Sequence, residues 1–90
     1  MPMDNVQFSD HGWEDFSHWL VGDKKTLARI MKIIDDIRRN GYKGIGKPEP
    51  LMGDLSGYWS RRIDDKNRIV YKLEEGIVKI VQCGSHYHKK

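Results

Sequence analysis

Cysteine occurs only once in this chain, at Cys83, and proline only at Pro2, Pro48 and Pro50. A single cysteine excludes an internal disulfide framework and suits a reducing compartment, so the fold has to rest on packing. Long apolar runs are missing as well. The stretch from Ile77 to Val81 is broken by Lys79, so neither a membrane span nor a signal-peptide core can be drawn, and a cytoplasmic location is expected. No repeat, low-complexity tract or Pro/Gly/Ser linker divides the 90 residues, which read as one domain, 1–90. Two Phe, three Trp and four Tyr still allow a modest core.

Lys and Arg are absent from residues 1–23, which carry Asp4, Asp10, Glu14, Asp15 and Asp23. Residues 24–47 reverse the balance, with eight bases against Asp35 and Asp36. The net charge of +3 is modest, but its concentration after Lys24 suits a polyanion such as RNA, DNA or an acidic partner protein. A solvated helix face is the plainer account of the same run.

Asn5 to Phe8 alternates as a short strand does, and Ser9 or Asp10 can cap a helix running to about Val21 and closed by Gly22. Trp13, Phe16, Trp19 and Leu20 then share its inner side, while Glu14, Asp15 and His18 fall outward. Asp23 can cap a second helix over Lys24 to Asn40, with Leu27, Ile30, Met31, Ile34 and Ile37 inward. Arg38 and Arg39 complement its carbonyl end, and Gly41 supplies the exit. From Gly41 to Gly53 there are too many breakers for a helix or a central strand, so this is an exposed loop, and its length points to function. Strands follow over about Gly57 to Ile63, Arg68 to Leu73 and Ile77 to Gly84. The expected class is α+β: two N-terminal helices on a twisted antiparallel sheet of about four strands, with the first strand at one edge. Arg68, Val70 and Lys72 share one face of their strand, which makes that face charged.

Glu49, Arg61 and Arg62, Arg68, and the closing His86-Tyr87-His88 are the residues that suit phosphodiester cleavage. RNA is cut without metal when a base takes the 2′-hydroxyl proton, cations stabilise the charge on phosphorus, and an acid protonates the leaving 5′-oxygen. Glu49 or a neighbouring group fits the base, Arg68 and Arg62 the phosphate clamp, and His86 the acid. Each also has a plainer account. Glu49 is then a solvated loop acid, Arg68 pairs with Asp64 or Asp65, and His86 and Tyr87 are a loose end. Adjacent strand residues point to opposite faces, so only one of Arg61 and Arg62 can join a given site. Cys83, His86 and His88 resemble a metal-ligand run, but on an extended segment Cys83 faces away from the histidines and no second cluster completes the set. Gly44-Ile45-Gly46-Lys47 lacks the spacing of a P-loop.

The stretch GIGKPEPLMGDLSGYWSRRIDDKNRIVYKL, the closing CGSHYHKK and the Trp-Glu-Asp-Phe opening of the first helix resemble the YoeB/Txe type of bacterial toxin in the RelE superfamily. The resemblance spans nearly the whole chain. It implies a ribosome-dependent endoribonuclease that cuts mRNA in the A site, needs no metal or other cofactor, and is neutralised by a YefM/Phd-class antitoxin. It implies Glu49 as general base, Arg68 as transition-state stabiliser and His86 as general acid with Tyr87 beside it. Lys47 and Arg62, with Arg61, then bind the RNA backbone. A sheet whose concave face holds the site, contact with ribosomal RNA, exposed Tyr58 and Tyr87 for the antitoxin, and a homodimer follow from the same likeness. Two departures stand out: Met52 where the family commonly has lysine, and the extension His88-Lys89-Lys90 beyond the His-Tyr pair. A ParE-like gyrase inhibitor and a non-catalytic RNA- or antitoxin-binding module are the competing readings. The combined Glu49, Arg68 and His86 set separates the first of these from a nuclease.

Overall fold

One strand, two helices and then four strands follow along residues 5–85, the part that the computed structural model describes. In order they are β1 (Asn5–Phe8), α1 (Asp10–Leu20), α2 (Lys24–Asn40), β2 (Glu49–Pro50), a 3-10 turn at Gly53–Leu55, β3 (Trp59–Arg62), β4 (Arg68–Glu74) and β5 (Ile77–Gly84). They make one five-stranded sheet in the order β1-β5-β4-β3-β2. The α+β class is as expected, but the antiparallel sheet of about four strands is corrected twice. β1 lies at an edge and runs parallel to β5, because two helices rather than a hairpin return the chain. A fifth strand, Glu49–Pro50, emerges from the stretch read as loop and pairs antiparallel with β3. Proline cannot donate to a ladder, so these residues form a strand only at the outer edge, which is where they sit.

Ser9 caps α1, its hydroxyl accepting from the Gly12 N–H at 3.1 Å, and Asp23 caps α2 by accepting from the Lys25 N–H at 2.9 Å. α2 buries Ile30, Ile33, Ile34 and Ile37 against Ile69, Tyr71, Val78, Ile80 and Cys83 of the sheet. Each such isoleucine contributes about 1.5–3 kcal/mol of transfer free energy. Met31, expected inside, is 53% exposed, and Ile33 takes that place. At α2's end Arg38 and Arg39 both pair with Asp35.

α1 departs further from its apolar pattern. Trp13 and Leu20 are about half exposed, while Gly12 is buried against β5 and Asp15 turns inward. The reason is distance: a Cβ on Gly12 would lie 2.5 Å from the Ile80 carbonyl oxygen, so the helix backbone itself rests on the strand. Past Ile80, where β1 has ended, α1 takes over the role of a neighbouring strand. Asp15 accepts from the Cys83 N–H at 3.1 Å, and the Trp19 indole donates to the Cys83 carbonyl at 2.8 Å.

Two turns fix the meander. Glu75 and Gly76, at φ 55° and 75°, form a two-residue hairpin loop with both central residues left-handed, the geometry that matches strand twist. Asp64 closes the β3–β4 turn by accepting from the N–H groups of Lys66 and Asn67. In the β4–β5 ladder Tyr71 pairs with Ile80 and Val70 with Gln82, so Val81 is an extra, bulged residue. The bulge shifts the phase of β5. Gln82 lines up with the face of Val70, while Cys83 joins the helix-side core beside Ile69.

Replacing a helical glycine by alanine ordinarily stabilises by about 1 kcal/mol. Here Gly12→Ala is expected to lower stability by about 1–3 kcal/mol in denaturant unfolding, because the methyl displaces α1 from β5.

Candidate active site

On the sheet face opposite the helices, Tyr58, Val70 and Val81 form a small second core, covered by Leu51 and Leu55. This face is therefore not simply charged, and Tyr58, expected exposed, is 6% exposed. Val70 also belongs to a row across four strands that is otherwise polar: Glu49 opposite Ser60, Ser60 opposite Val70, Val70 opposite Gln82. The next row sets Arg62 opposite Arg68 and Arg68 opposite Gly84.

Two guanidinium groups directly across a ladder repel each other. The carboxylate near them is Glu49, whose Oε1 lies 4.0 Å from Arg68 Nη1 while the Glu49 side chain remains more than half exposed. Arg68 thus meets Glu49, not Asp64 or Asp65. Among the described residues, four buried side-chain atoms lack a hydrogen-bond partner: Ser60 Oγ, Arg62 Nε, Arg68 Nη1 and Gln82 Oε1. All four belong to these two rows. A buried polar atom left unpaired costs about 1–3 kcal/mol, so their concentration at one place marks a site shaped for something other than stability. Elsewhere on this face the cations are satisfied: Lys72 and Lys79 both pair with Glu74, and Lys72 also lies over the Tyr58 ring.

Glu49 is delivered by a rigid lead-in. Pro48 and Pro50 fix φ on either side of it. The Arg62 N–H donates to the Gly46 carbonyl at 2.6 Å and the Leu51 N–H to the Tyr58 carbonyl at 2.9 Å. Lys47 holds a left-handed φ of 51°, a strained conformation for a residue with a side chain. Met52, in the family's lysine position, is 84% exposed.

Arg61, expected to bind RNA, is corrected to a structural role. It is fully buried on the other face, and all five of its N–H groups are used. Nε donates to the Tyr71 hydroxyl, one terminal nitrogen to Asp36 and the Ile45 carbonyl, and the other to the carbonyls of Gly41 and Lys43, both at 2.7 Å. Asp36 also accepts from the Ile45 N–H and the Asn40 amide. Gly44 passes so close that any Cβ there would strike the Asp36 carboxylate. One guanidinium therefore ties residues 41–45 to helix and sheet, and the loop expected to be exposed is anchored.

The structure places Glu49 beside Arg68 and Arg62 opposite Arg68, with Lys47 on the loop leading to them. His86 and Tyr87 lie outside the described residues, as do His88 and the two terminal lysines. Gly84, two residues before His86, is Arg68's ladder neighbour. Cys83 is buried in the helix-side core, where burial, with Asp15 nearby, pushes its thiol up to about 12. Ser60 and Gln82 are site residues that sequence reasoning missed. A lone glutamine within Ile77–Cys83 was the visible signal for one of them, whereas Asp36 carried none.

A family model described as YoeB-like toxin of bacterial type II toxin-antitoxin system matches residues 8–87. Toxin YoeB of Streptomyces coelicolor is 56% identical over 82 residues, covering 91% of this chain and 98% of that protein. Among solved structures, the heterotetrameric YoeB-YefM toxin-antitoxin complex from Staphylococcus aureus matches at a TM-score of 0.86 and 42% identity, covering 92% of this chain and 97% of that one. The YoeB dimer from the same organism matches at 0.84 and 42% identity, with the same coverage.

Burial opposes ionisation of Asp36, but the hydrogen bonds from Arg61, Ile45 and Asn40 outweigh it and hold its carboxyl below the usual range. That stabilisation is fully present above the unfolded value of about 3.9 and is lost as pH falls through the lower folded value. Asp36→Asn should therefore unfold at lower denaturant than the parent at pH 7, by about 3–5 kcal/mol. The gap should narrow below about pH 4, as an unfolding series across pH will show.

Proposed function

Because this chain belongs to the YoeB-like toxin family of bacterial type II toxin–antitoxin systems, we propose that it is an endoribonuclease that cuts mRNA in the ribosomal A site and so inhibits translation. The observation that carries this reading is the meeting of Arg62 and Arg68, with buried unpaired nitrogens, beside the exposed carboxylate of Glu49. Donors held out of water and left without an acceptor are suited to a phosphate, and the carboxylate beside them to a proton on its sugar.

In the proposed reaction Glu49 takes the 2′-hydroxyl proton and the 2′-oxygen bonds to phosphorus. Arg68 and Arg62 stabilise the added charge on the phosphoryl oxygens, and His86 gives its proton to the departing 5′-oxygen. Tyr87 lies beside His86 in sequence, and Lys47 meets the neighbouring backbone. The cycle needs no metal, since proton transfers and guanidinium charge supply each step. Ribosome dependence follows from in-line attack, which requires a splayed backbone, and such positioning contributes roughly 7–11 kcal/mol.

Relatives from Staphylococcus aureus occur with YefM and as a dimer, which supports a YefM/Phd-type antitoxin and a homodimer for this chain. The antitoxin competes with the ribosome for the Arg62 and Arg68 face. No described helix is long and apolar enough to cross a membrane, and we place the activity in the cytoplasm with its ribosomes.

Primer extension on translated mRNA should show cuts within A-site codons, far slower on the same RNA free in solution. Equal rates on free and ribosome-bound RNA would reject the ribosome's role, and no cutting in either case would reject the nuclease. Glu49→Ala and His86→Gln should each lower single-turnover cleavage about 10²–10⁴-fold while ribosome affinity holds. Arg68→Ala should cost about 10²–10³-fold.

A further inference from the structure

We propose that Ser60 is a positioning residue for Glu49: its hydroxyl donates to the Glu49 carboxylate once a phosphate has taken over Arg68, and so keeps the base on the site face. This rests on the ribonuclease reading above. Glu49 and Arg68 are not on neighbouring strands. β2 carries the acid, β4 the arginine, and β3 runs between them, so the two backbones stand roughly 10 Å apart. The 4.0 Å approach of Glu49 Oε1 to Arg68 Nη1 therefore passes over β3. The β3 residue in the row of Glu49 is Ser60, and the next one on that face is Arg62, opposite Arg68. A serine is small enough to leave this crossing open.

Ser60 is also fully buried, and its Oγ has no hydrogen-bond partner among the described residues. Alanine would occupy the same place on the ladder without the cost of a buried, unpaired hydroxyl. The hydroxyl therefore suits a state in which an acceptor has moved onto it. Ser60 and Glu49 are direct cross-strand partners, and the Cβ atoms of such a pair lie about 4.5–5.5 Å apart, within reach of a glutamate side chain. The ladder partner on the other side of Ser60 is Val70, which offers no side-chain acceptor. Gln82, the remaining member of the row, lies two strands away on β5. Glu49 is thus the acceptor that the row provides.

Substrate changes what Arg68 is paired with. Its contact with Glu49 is long for an ion pair, and the carboxylate is more than half exposed, so the contact is weak. A phosphate takes charge-assisted hydrogen bonds from a guanidinium at about 2.7–2.9 Å and displaces it. The incoming phosphate and the carboxylate are both anions and repel each other. Without a second donor the acid turns out to solvent, and the donor directly opposite it is Ser60 Oγ. Displacements of about 1 Å at a reacting group can cost 10²-fold in rate.

The test is single-turnover cleavage of ribosome-bound mRNA by the parent, Ser60→Ala, Glu49→Ala and the double variant. At saturating ribosome Ser60→Ala should cut at least about 10-fold more slowly, with half-saturation unchanged, and should unfold at no lower denaturant than the parent. In the Glu49→Ala background the same change should slow cleavage less than about 3-fold, because no carboxylate remains to be held. A serine that served packing alone would lower stability and slow both backgrounds alike. Equal losses in the two backgrounds, a loss that resides in half-saturation, or no loss in Ser60→Ala overturns the inference. If Ser60→Ala fails to fold, Ser60→Cys, of similar shape but a weak donor, is held to the same outcomes. If the parent cuts no RNA, or Glu49→Ala cuts as fast as the parent, the ribonuclease reading with Glu49 as base falls, and this inference with it. An active parent and an impaired Glu49→Ala beside an unimpaired Ser60→Ala remove this inference alone.

Discussion

The buried guanidinium of Arg61 is the constraint on which the rest of the site depends. A fully buried cation is tolerable only if it is paired and every N–H is satisfied, and here Tyr71, Asp36 and three loop carbonyls satisfy all five. That requirement dictates the path of residues 41–45, since the carbonyls of Gly41, Lys43 and Ile45 must all face one point. From there the chain can only pass along the edge of β3. Pro48 and Pro50 make that edge the one place where Glu49 can join the sheet. A segment with the composition of a loose loop is thus held at both ends, by a charge beneath it and by ladder bonds beside it.

The two arginines of Trp59-Ser60-Arg61-Arg62 show what strand alternation accomplishes. Arg61 points to the helix side and is consumed by structure. Arg62 points to the open side, faces Arg68, and keeps a buried nitrogen unpaired among the described residues. Identical side chains one residue apart therefore have opposite duties, and the difference is the pleat. Lys72 and Lys79 share the carboxylate of Glu74 at the other end of the same face. The acid beside Arg62 and Arg68, Glu49, stands 4.0 Å from Arg68 Nη1 and stays more than half exposed, so it offsets the two charges only weakly.

Much of this was legible in the chain. The helix caps Ser9 and Asp23, the Ile30, Ile34 and Ile37 spacing and the positions of three strands all follow from local rules, and so does the fact that Arg61 and Arg62 cannot share a site. What was not legible depended on tertiary distance. Gly12 reads as a weak helix residue until β5 is found resting on it, and Trp13 then has to turn outward. Asp15 reads as a surface acid until β1 proves too short to cover Cys83, leaving an N–H for it to accept. The edge strand at Glu49 is only two residues long and carries no period of its own. Arg61 looked like an RNA ligand because a basic dipeptide carries no label for which member is buried.

The bulge at Val81 was invisible for a different reason, and it links the helical layer to the site. Ile77 to Cys83 reads as an ordinary strand, and nothing in that string says where a residue is inserted against β4. The insertion places Cys83 in the helix-side core, where its backbone meets Asp15 and Trp19, and places Gln82 and Gly84 in phase with Val70 and Arg68. Without it, the residues carrying the chain from β5 toward His86 would alternate the other way, and Gly84 would not face the side on which Glu49 and Arg68 meet. α1 lies against the same stretch, its backbone resting on Ile80 at Gly12. A close approach between one helix and one strand, made possible by a missing side chain, thus sits beside the irregularity that sets the phase of the polar face on the far side of the sheet.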